Sequence, residues 1–353
     1  MPFSYYRSVT VDHTLVPSTQ TDFPMLVNFT NNDLRTVGNG GNVQHASGYD
    51  VCFYSDSGLS SALFWEMESY NPVTGEVVAW VKIPSLSHTA GTVIYLAYGD
   101  SGISSFQSTA SSVWDSNYKG VWHMNDNAAS TTVVDSVGVF NGVNSVNTDT
   151  KDATGKIDGA LDYTGASSNR TVVTYGSGLA VGSAFSLQVW IKSAVTTGAP
   201  VARWAANYTG YGLYSDGNWY SGNGTAWTSV ASGRVGDSAW HSYVLVYTGS
   251  SLIAYKDGTQ NASVSLTSAA NDTSGLNFGR DGRAGGAEYF TGTLDEIRFS
   301  SINRSADWIT TEYRNQNSPS TFYALGSEVQ AGSGAARRML TVPFLGGSRA
   351  RAF

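Results

Sequence analysis

The stretch Tyr289-Phe-Thr-Gly-Thr-Leu-Asp-Glu-Ile-Arg-Phe-Ser combines a strand pattern with two adjacent carboxylates. Alternation along a strand predicts two faces, one formed by Asp295, Ile297 and Phe299 and the other by Leu294, Glu296 and Arg298. Asp295 would then share the more apolar face. A buried carboxylate requires a hydrogen-bond donor or a metal ion, so this position predicts either a structural contact or a cation ligand.

A helix is predicted directly after this strand. The run Ser305-Ala-Asp-Trp-Ile-Thr-Thr-Glu-Tyr-Arg-Asn has Ser305 in the N-cap position and Asp307 in the first turn, and Pro319 follows its end. These are the signals of a helix start and stop. We therefore expect one short C-terminal helix that lies on the β-sheets.

The composition is that of an all-β protein. The 353 residues include 39 glycines, 12% aromatic and 13% charged residues. Segments of Val, Thr and aromatic residues alternate with turns that contain Gly, Asn, Ser and Asp, which favours antiparallel strands. The length is sufficient for two domains. We interpret the chain as two antiparallel β-sandwiches.

Several classes of partner are disfavoured by the sequence. The net charge of −7 argues against nucleic acid, which requires a concentrated basic surface. No apolar run reaches membrane-spanning length, so no membrane insertion is expected. Cys52 is the single cysteine and cannot form an intrachain disulfide. Residues 2–7 do not resemble the apolar part of a secretory signal, so we expect no ordinary signal peptide.

The predicted organisation has three regions. Residues 1–113 form a small N-terminal β-sandwich, residues 114–330 form the second sandwich, and residues 331–353 form a basic and apolar tail. The aromatic segment 114–126 is expected to pack against both sandwiches. Asp257-Gly258 predicts a hairpin, because both positions of a two-residue reversal take positive φ angles.

Five segments of the second region occur in a characteristic order. They are Lys156-Ile-Asp-Gly-Ala-Leu-Asp-Tyr-Thr-Gly, Phe185-Ser-Leu-Gln-Val-Trp-Ile-Lys, Ser238-Ala-Trp-His-Ser-Tyr-Val-Leu, Tyr255-Lys-Asp-Gly and Gly292-Thr-Leu-Asp-Glu-Ile-Arg-Phe. Together they resemble laminin-G-like, concanavalin A-like lectin domains, which implies a jelly roll of two antiparallel sheets. The first region, through Gly48-Tyr-Asp-Val-Cys-Phe and Ile94-Tyr-Leu-Ala-Tyr-Gly-Asp, resembles a bacterial and phage domain of unknown function that commonly precedes such modules.

The same resemblance implies a calcium site. In such domains a carboxylate in the segment matching Leu161-Asp-Tyr-Thr-Gly and the aspartate matching Asp295 lie near the ion. Asp162 and Asp295 are therefore the candidate metal ligands, although Thr164 stands where a second acid is usual. The alternative is that Asp295 accepts backbone N–H bonds at a corner of the sandwich.

Catalysis is predicted to be absent. A glycosidase requires two carboxylates that flank the scissile bond. Glu66 and Glu68 have a suitable spacing but lack a third acid beyond them, and we interpret them as a solvated strand face. Asp295 and Glu296 are predicted to point to opposite faces. His123 follows a tryptophan and is interpreted as a packing residue, so no catalytic residue is assigned.

Aromatic residues cluster between positions 204 and 227 among turn-forming residues. Sugars present apolar faces to flat rings and hydroxyl groups to polar side chains. The candidate glycan-binding residues are therefore Trp204, Trp219, Tyr220 and Trp227. The alternative is that several of these rings fill the space between the sheets.

The tail has four arginines and no acidic side chain. We predict that it attaches the protein to virion or other assembly proteins, with a frayed terminus as the alternative. The predicted function is a non-enzymatic adhesion protein, a capsid decoration or tail-associated phage component. It would bind surface glycans as an oligomer or multicopy array on the virion surface. The alternatives are an extracellular or bacterial surface carbohydrate-binding module of a polysaccharide-processing system and, less favoured, a glycoside hydrolase.

Overall fold

The computed structural model describes residues 3–166, 169–204, 208–282 and 288–331. No helix within these ranges is long and apolar enough to cross a membrane. The N-terminal domain contributes six strands: β1 (Tyr5–Val11), β2 (Gln20–Thr30), β3 (Cys52–Tyr54), β4 (Trp65–Asn71), β5 (Glu76–Leu86) and β6 (Val93–Tyr98).

These six strands form two antiparallel sheets. One contains β2, β5 and β4 in that spatial order, and the other contains β1, β6 and β3 together with two strands from the end of the chain. Apolar residues of both sheets, such as Phe23, Trp80 and Leu96, are buried in one core. The predicted N-terminal β-sandwich is confirmed.

The rest of the described chain begins with sixteen strands: β7 (Tyr118–Trp122), β8 (Thr132–Val133), β9 (Gly142–Asn144), β10 (Asp152–Thr154), β11 (Gly159–Thr164), β12 (Thr171–Val173), β13 (Phe185–Lys192), β14 (Val201–Arg203), β15 (Tyr211–Leu213), β16 (Asn218–Gly222), β17 (Trp227–Ala231), β18 (Trp240–Tyr247), β19 (Ser251–Lys256), β20 (Thr259–Ser265), β21 (Leu276–Phe278) and β22 (Thr291–Ser300). It ends with α1 (Ala306–Asn317), α2 (Pro319–Phe322), β23 (Tyr323–Leu325) and β24 (Val329–Gln330). Short 3₁₀ turns lie at His13–Leu15, Asn32–Leu34, Val37–Asn39, Ala110–Ser112, Thr148–Thr150 and Ser177–Leu179.

Two eight-stranded antiparallel sheets build the second sandwich. The first has the order β10-β11-β22-β13-β18-β19-β20, with β7 paired to β22, and is called the helix-side sheet here. The second, the distal sheet, has the order β17-β16-β15-β14-β21-β12-β9-β8. Leu187, Trp219 and Phe278 belong to the core between the two sheets. This arrangement confirms the predicted all-β fold with two sandwiches.

A bulge in β22 overturns the predicted division of its faces. Gln188 pairs with Arg298 and Trp190 pairs with Asp295, so Glu296 and the residue after it both lie opposite a single residue of β13. Glu296 has a φ of 48°, which is the backbone change that accommodates the extra residue. As a result Leu294, Ile297 and Phe299 face the core. Asp295, Glu296 and Arg298 all lie on the opposite face, toward α1.

The helix after β22 packs between the domains. The Ser305 hydroxyl accepts a hydrogen bond from the N–H of Trp308 at 3.1 Å, which confirms the predicted N-cap. Trp308 belongs to the N-terminal core, where its ring centroid is 5.1 Å from that of Phe23. Ile309 instead packs against strands of the helix-side sheet. A second helix, α2, follows, so the described chain has two helices rather than the single one expected.

The chain then returns to the N-terminal domain. β23 pairs with β1 from Val9 to Val11, and β24 pairs with β1 at Tyr5 and Tyr6. Residues 323–330, which the sequence assigned to the second domain, therefore complete the sheet of the first. The alternation of apolar and polar residues along each strand could not reveal the pairing of β1 with β23. This pairing joins segments that are more than 300 residues apart in the chain.

Candidate ligand-binding site

A pocket of about 280 Å³ opens beside the strands β14 to β17 of the distal sheet. Alternation along β16 explains its position, because Trp219 points into the core and its neighbour Tyr220 points outward. Trp204 follows β14 and Trp227 begins β17, and the two rings meet with their centroids 4.8 Å apart. The lining residues are Trp204, Tyr214, Ser215, Asp216, Tyr220, Trp227 and Glu288.

The four aromatic rings of the pocket contact one another in a closed cycle. The Trp204 centroid lies 5.2 Å from that of Tyr214 and 4.8 Å from that of Trp227. The Tyr220 centroid lies 5.4 Å from that of Tyr214 and 6.3 Å from that of Trp227. The angles between neighbouring planes run from 71° to 89°, so the rings meet edge to face. We call these four residues the aromatic box.

Asp216 lies at the rim of the box, in the tight turn between β15 and β16. Gly217 has a φ of 78° and its N–H donates to the carbonyl of Tyr214 at 3.0 Å, which closes the turn. Asp216 accepts hydrogen bonds from the Tyr220 hydroxyl and, at 2.9 Å, from the Asn218 amide. The hydrogen bond to Asp216 raises the pKa of Tyr220. The turn thus holds a carboxylate beside the rings.

Glu288 supplies a second carboxylate to the pocket. Its Oε2 accepts a hydrogen bond from the backbone N–H of Ser215 at 3.0 Å. This contact joins Glu288, which comes shortly before β22, to the turn that carries Asp216. The pocket therefore combines four aromatic rings with two acidic side chains.

The predicted ligand-binding residues are only partly brought together. Trp204, Tyr220 and Trp227 line one pocket, as required for a shared site. Trp219 has no exposed surface and lies in the sandwich core, so its assignment as a ligand contact is wrong. The period-two pattern of β16 could have separated Trp219 from Tyr220, had the limits of this short strand been known. Asp216 and Glu288, which also line the pocket, were not among the predicted residues.

A second group of functional side chains lies between the two domains. Glu66 and Glu68 come from β4, His123 follows β7, and Glu296 and Arg298 come from β22; we call these five residues the interdomain charge cluster. His123 Nδ1 lies 2.6 Å from Oε1 of Glu296 and 3.6 Å from Oε2 of Glu68, while its Nε2 lies 3.5 Å from Oε2 of Glu66. One histidine therefore faces three carboxylates.

The electrostatics of this cluster favour a protonated histidine. Burial disfavours the charged imidazole, but the three carboxylates outweigh it and hold the pKa of His123 well above its usual value. Burial opposes ionisation of Glu66 and Glu296 as well, yet His123 and their hydrogen-bond donors lower the pKa of both groups. Burial dominates at Glu68, whose pKa is raised well above its ordinary range. The cluster is therefore a buried ion network in which His123 and Glu68 favour their protonated forms and Glu66 and Glu296 favour their ionised forms.

The interpretation of Glu66 and Glu68 as a solvated face is wrong. The side chain of Glu68 has 0% exposure and that of Glu66 has 12%. Trp80 Nε1 donates to Glu68 at 2.6 Å and the Ser136 hydroxyl donates to Glu66 at 2.6 Å. His123 was interpreted as a packing residue, and it is instead the centre of the network. The contacts of Glu66 and Glu68 with His123 and Ser136 could not be predicted, because they join the two domains.

Three of these side chains could together offer ligands to a metal ion. Glu68, His123 and Glu296 each offer one ligand atom, and these atoms lie within 4.8 Å of one another. His123 and Glu296 are, however, already joined by a 2.6 Å hydrogen bond. His123 Nδ1 and Glu296 therefore satisfy each other, whereas the buried Nε2 of His123 has no hydrogen-bond partner among the described residues and lies 3.5 Å from Oε2 of Glu66.

The predicted calcium ligands have separate partners. Asp295 is fully buried, and its Oδ2 accepts hydrogen bonds from the N–H groups of Lys156 at 2.7 Å and Ile157 at 2.9 Å. This is the corner contact that was the alternative to calcium. Asp162 accepts a hydrogen bond from the Thr293 hydroxyl at 3.2 Å. A calcium ion at these two residues stays a prediction.

The predicted tail falls almost wholly beyond the described chain. Ala331 is described, and its N–H donates to the carbonyl of Ser4 at 2.8 Å. Residues 332–353 lie outside the described residues, so the predicted assembly anchor is not tested by the fold.

Comparison with protein families agrees with the two-domain architecture. Residues 164–310 match the family described as the concanavalin A-like lectin/glucanases superfamily. Residues 47–152 match a domain of unknown function, DUF2341. Residues 164–310 are therefore similar to concanavalin A-like domains and residues 47–152 to that second family, which confirms both resemblances. A search of functionally curated proteins gave no match.

Several solved structures have a limited similarity to part of the chain. The binding domain of Paraclostridial Mosquitocidal Protein 1 is 11% identical, with a TM-score of 0.45 over 56% of this chain and 52% of its own. Domain 4 of AbnA, an extracellular GH43 arabinanase from Geobacillus stearothermophilus in complex with arabinotriose, is 17% identical. Its TM-score is 0.44 over 55% of this chain and 97% of its own. The receptor binding domain of botulinum neurotoxin D is 13% identical, with a TM-score of 0.44 over 57% of this chain and 53% of its own. The chain thus spans about half the length of the first and third of these structures.

Proposed function

We propose that this protein is a non-enzymatic adhesion protein whose concanavalin A-like domain binds a glycan in the aromatic pocket. The observation that carries the proposal is the convergence of Trp204, Tyr220 and Trp227 on one open pocket with polar groups at its rim. Rings cover the apolar face of a sugar, and carboxylates accept hydrogen bonds from its hydroxyl groups. The pocket volume of about 280 Å³ suits a single sugar unit or a chain end.

Burial of the acidic cluster supports a binding role over hydrolysis. A glycosidase acid and base must reach both sides of the glycosidic bond. Glu68 and Glu296 have side chains with 0% exposure, and both are held by hydrogen bonds within the protein. We therefore expect no turnover across a panel of polysaccharides. Turnover that Glu66→Gln or Glu68→Gln abolishes would instead establish the hydrolase alternative.

A glycan array tests the proposed site. Trp227→Ala removes one wall of the pocket and is expected to abolish the wild-type signal, because stacking on a ring contributes about 1–2 kcal/mol to weak binding. Phe64→Ala is the matched control, since Phe64 is an aromatic residue of the other domain with 54% exposure. Binding that survives Trp227→Ala, or an empty array with the intact protein, would contradict the proposal.

We further propose that the protein is a multicopy component of a phage virion, attached through residues 331–353. If one copy binds at millimolar strength, about 4 kcal/mol, adhesion depends on many copies acting together. Deletion of residues 332–353 is expected to abolish incorporation into particles while glycan binding persists. Unchanged incorporation would rule out the anchor. A gene neighbourhood of polysaccharide-processing enzymes would favour the extracellular module of a bacterium.

Calcium binding at Asp162 and Asp295 is proposed separately. A ligand that binds only the folded state raises the melting temperature in proportion to its occupancy. Calcium should therefore raise the melting temperature of the intact protein, and Asp162→Asn should remove the increase without disturbing the backbone contacts of Asp295. The absence of any calcium-dependent shift in the intact protein would reject this site.

A further inference from the structure

A buried lysine and a buried asparagine meet at one edge of the second sandwich. Asn144 ends β9 in the distal sheet, and Lys151 immediately precedes β10 in the helix-side sheet. The two residues are only 1% and 3% exposed. Lys151 Nζ lies 3.4 Å from Oδ1 of Asn144, so the amine of one sheet touches the side-chain amide of the other.

The environment of Lys151 favours a reactive amine. In the unreacted chain, burial lowers the pKa of Lys151 to about 7, although the negative charge of Asp162 opposes this effect. A large share of the amine is therefore neutral near pH 7, and the neutral form is the nucleophile. The ring of Tyr163 has its centroid 3.2 Å from Nζ. The amine is thus held between this ring and Asn144.

The amide of Asn144 is polarised by two donors. Its Oδ1 accepts hydrogen bonds from the N–H of Ser145 at 3.1 Å and from the Thr171 hydroxyl at 3.2 Å. The Tyr163 hydroxyl lies 2.8 Å from that of Thr171 and donates to it, because the single Thr171 proton is already given to Asn144. Donors at a carbonyl oxygen stabilise the negative charge that develops there when a nucleophile adds to the carbonyl carbon.

The nitrogen of the same amide has the opposite surroundings. Nδ2 of Asn144 is buried and has no hydrogen-bond partner among the described residues. Within the described part of the chain, no hydrogen bond therefore opposes the departure of this nitrogen. The site combines a buried amine, an activated carbonyl group and a leaving nitrogen that the described residues do not hold.

We propose that Lys151 and Asn144 form an intramolecular isopeptide bond. Nζ attacks Cγ of Asn144, the bond between Cγ and Nδ2 breaks, and Nδ2 takes one proton from the amine and leaves as ammonia. The step is neither an oxidation nor a reduction and requires no co-reactant. Contact between the two groups in the folded chain replaces the encounter of separate reactants. The product joins the two sheets covalently, whether or not a glycan is bound.

Peptide mapping of the denatured full-length protein provides the test. Trypsin does not cleave after an acylated lysine, so residues 120–156 should remain one peptide. Its mass should be lower by one ammonia, about 17 Da. Fragmentation should give no ions between residues 144 and 151, because the bond closes that segment into a ring. Separate peptides 120–151 and 152–156 of unmodified mass would overturn the proposal.

A second route to the same mass loss is separated by the same map. Asn141 precedes Gly142 and could lose ammonia by attack of the backbone nitrogen. That product leaves the Lys151 amine free, so trypsin would cleave there and the mass loss would lie in peptide 120–151. This result would also overturn the isopeptide bond. Cleavage after Lys156 should proceed in every case and is the internal control.

Variants assign the bond to its two residues. Lys151→Met keeps a long apolar side chain without the amine, and its peptide should have the unmodified mass. Lys156→Arg is the matched control, because the Lys156 amine also contacts an asparagine, at 2.9 Å from Oδ1 of Asn317, but this contact is exposed. The control should keep the bond. Mass loss that persists in Lys151→Met, or disappears in Lys156→Arg, would contradict the assignment.

Thr171 is a positioning residue in this reaction, since its hydroxyl acts on Asn144. Thr171→Val removes one donor from Oδ1 and should leave a fraction of the chains unbridged when the wild type is fully bridged, measured from the ratio of peptide 120–156 to peptide 120–151. Complete bridging of this variant would remove the role of Thr171. If a variant fails to fold, the peptide map of the wild type alone decides whether the bond exists.

Discussion

His123 lies at the contact between the two domains, where it joins strands β4 and β22. Its imidazolium faces the carboxylates of Glu66 and Glu296 and the carboxyl group of Glu68, while Arg298 also pairs with Glu296. Its ring also stacks on Trp80 with a centroid distance of 5.7 Å and an interplanar angle of 17°. Loss of one partner from a buried ion network leaves uncompensated charge, which is far more costly than the net contribution of the network.

His123→Ala is expected to lower the free energy of unfolding by about 3–5 kcal/mol, measured by chemical denaturation. His241→Ala is the matched control, because His241 also lies between two acids, at 2.6 Å from Asp257 and 3.1 Å from Asp237, but its side chain is 18% exposed. The control is expected to cost less than about 1 kcal/mol. Equal effects of the two substitutions would contradict the assignment of His123 to a buried network.

Glu68 predicts a pH dependence with a definite sign. Its folded-state pKa is raised well above the ordinary value of about 4.5, so the folded protein binds this proton more tightly than the unfolded chain. Stability from this group is complete below pH 4.5 and is lost as the pH rises through the folded-state pKa. The raised pKa of His123 acts in the same direction above its ordinary value of about 6.5.

Glu68→Gln is expected to become more stable relative to the wild type as the pH rises from 5 to 9, measured as the difference between their melting temperatures. The glutamine resembles the protonated acid in shape and does not titrate. Groups that do not interact with Glu68, such as Lys151, whose pKa burial lowers to about 7, cancel in this difference. Glu76→Gln on β5 serves as the control, and a flat difference for Glu68→Gln would contradict the burial of that proton.

At the scale of single residues, the sequence predicted the kind of contact that a side chain makes better than it predicted which residues that side chain contacts. Three of the four candidate rings do share a pocket, because aromatic residues near turns of one sheet tend to converge. Trp219 was misplaced since strand parity can be applied only when the strand limits are known. The partners of His123 come from β4 and β22, and no local pattern links those segments.

At the scale of elements, the bulge in β22 decides where the acids point. Regular alternation would separate Asp295 from Glu296, whereas the positive φ of Glu296 at 48° places both on the face toward α1. A bulge inserts one residue and reverses the parity of everything beyond it. The sequence predicted the strand itself but carried no signal for the inserted residue.

The hairpin between β19 and β20 was predicted correctly and has a further role. Asp257 and Gly258 have φ values of 51° and 73°, as a two-residue reversal requires. The carbonyl of Gly258 accepts a hydrogen bond from the Thr310 hydroxyl at 2.7 Å, and a Cβ at Gly258 would lie 2.8 Å from Tyr313. The hairpin therefore also positions α1.

Gly258→Ala is expected to destabilise the protein by about 2–3 kcal/mol, because backbone strain at positive φ adds to a clash with Tyr313. Gly138→Ala is the matched control, since Gly138 has a φ of 85° and open space around its Cβ position. The control should show only the backbone cost of about 1–2 kcal/mol. Thermal unfolding of both variants measures the difference, and equal shifts would exclude the contact with α1.

At the scale of the whole molecule, the two sandwiches share their central packing elements. Trp308 of α1 and Phe322 of α2 are buried in the N-terminal core, although both follow the last strand of the concanavalin A-like domain. Trp114 in the connecting segment belongs to the same core, while Trp122 belongs to the other. The prediction that segment 114–126 packs against both sandwiches is confirmed, and the division into sequential domains is only approximate.

This sharing predicts a single cooperative unfolding transition for the described part of the chain. Trp308→Ala should lower the stability by about 3–5 kcal/mol and increase hydrogen exchange in both sandwiches together. Trp227→Ala, which removes a partly exposed ring of the pocket, should leave exchange in the N-terminal sandwich unchanged. Separate transitions, or exchange confined to one sandwich in Trp308→Ala, would show that the domains unfold independently.

The return of the chain to β1 determines how the molecule responds to mechanical force. Ser4 and Ala331 are joined by a hydrogen bond of 2.8 Å, and Tyr5 pairs with Gln330 beside them. Tension applied between these two positions separates β1 from β24 one residue pair at a time, because the strands are antiparallel and are pulled from adjacent ends. Among the described strands, none of the distal sheet pairs with β1. Under such tension this seam opens first, and the aromatic box keeps its shape while the protein is stretched.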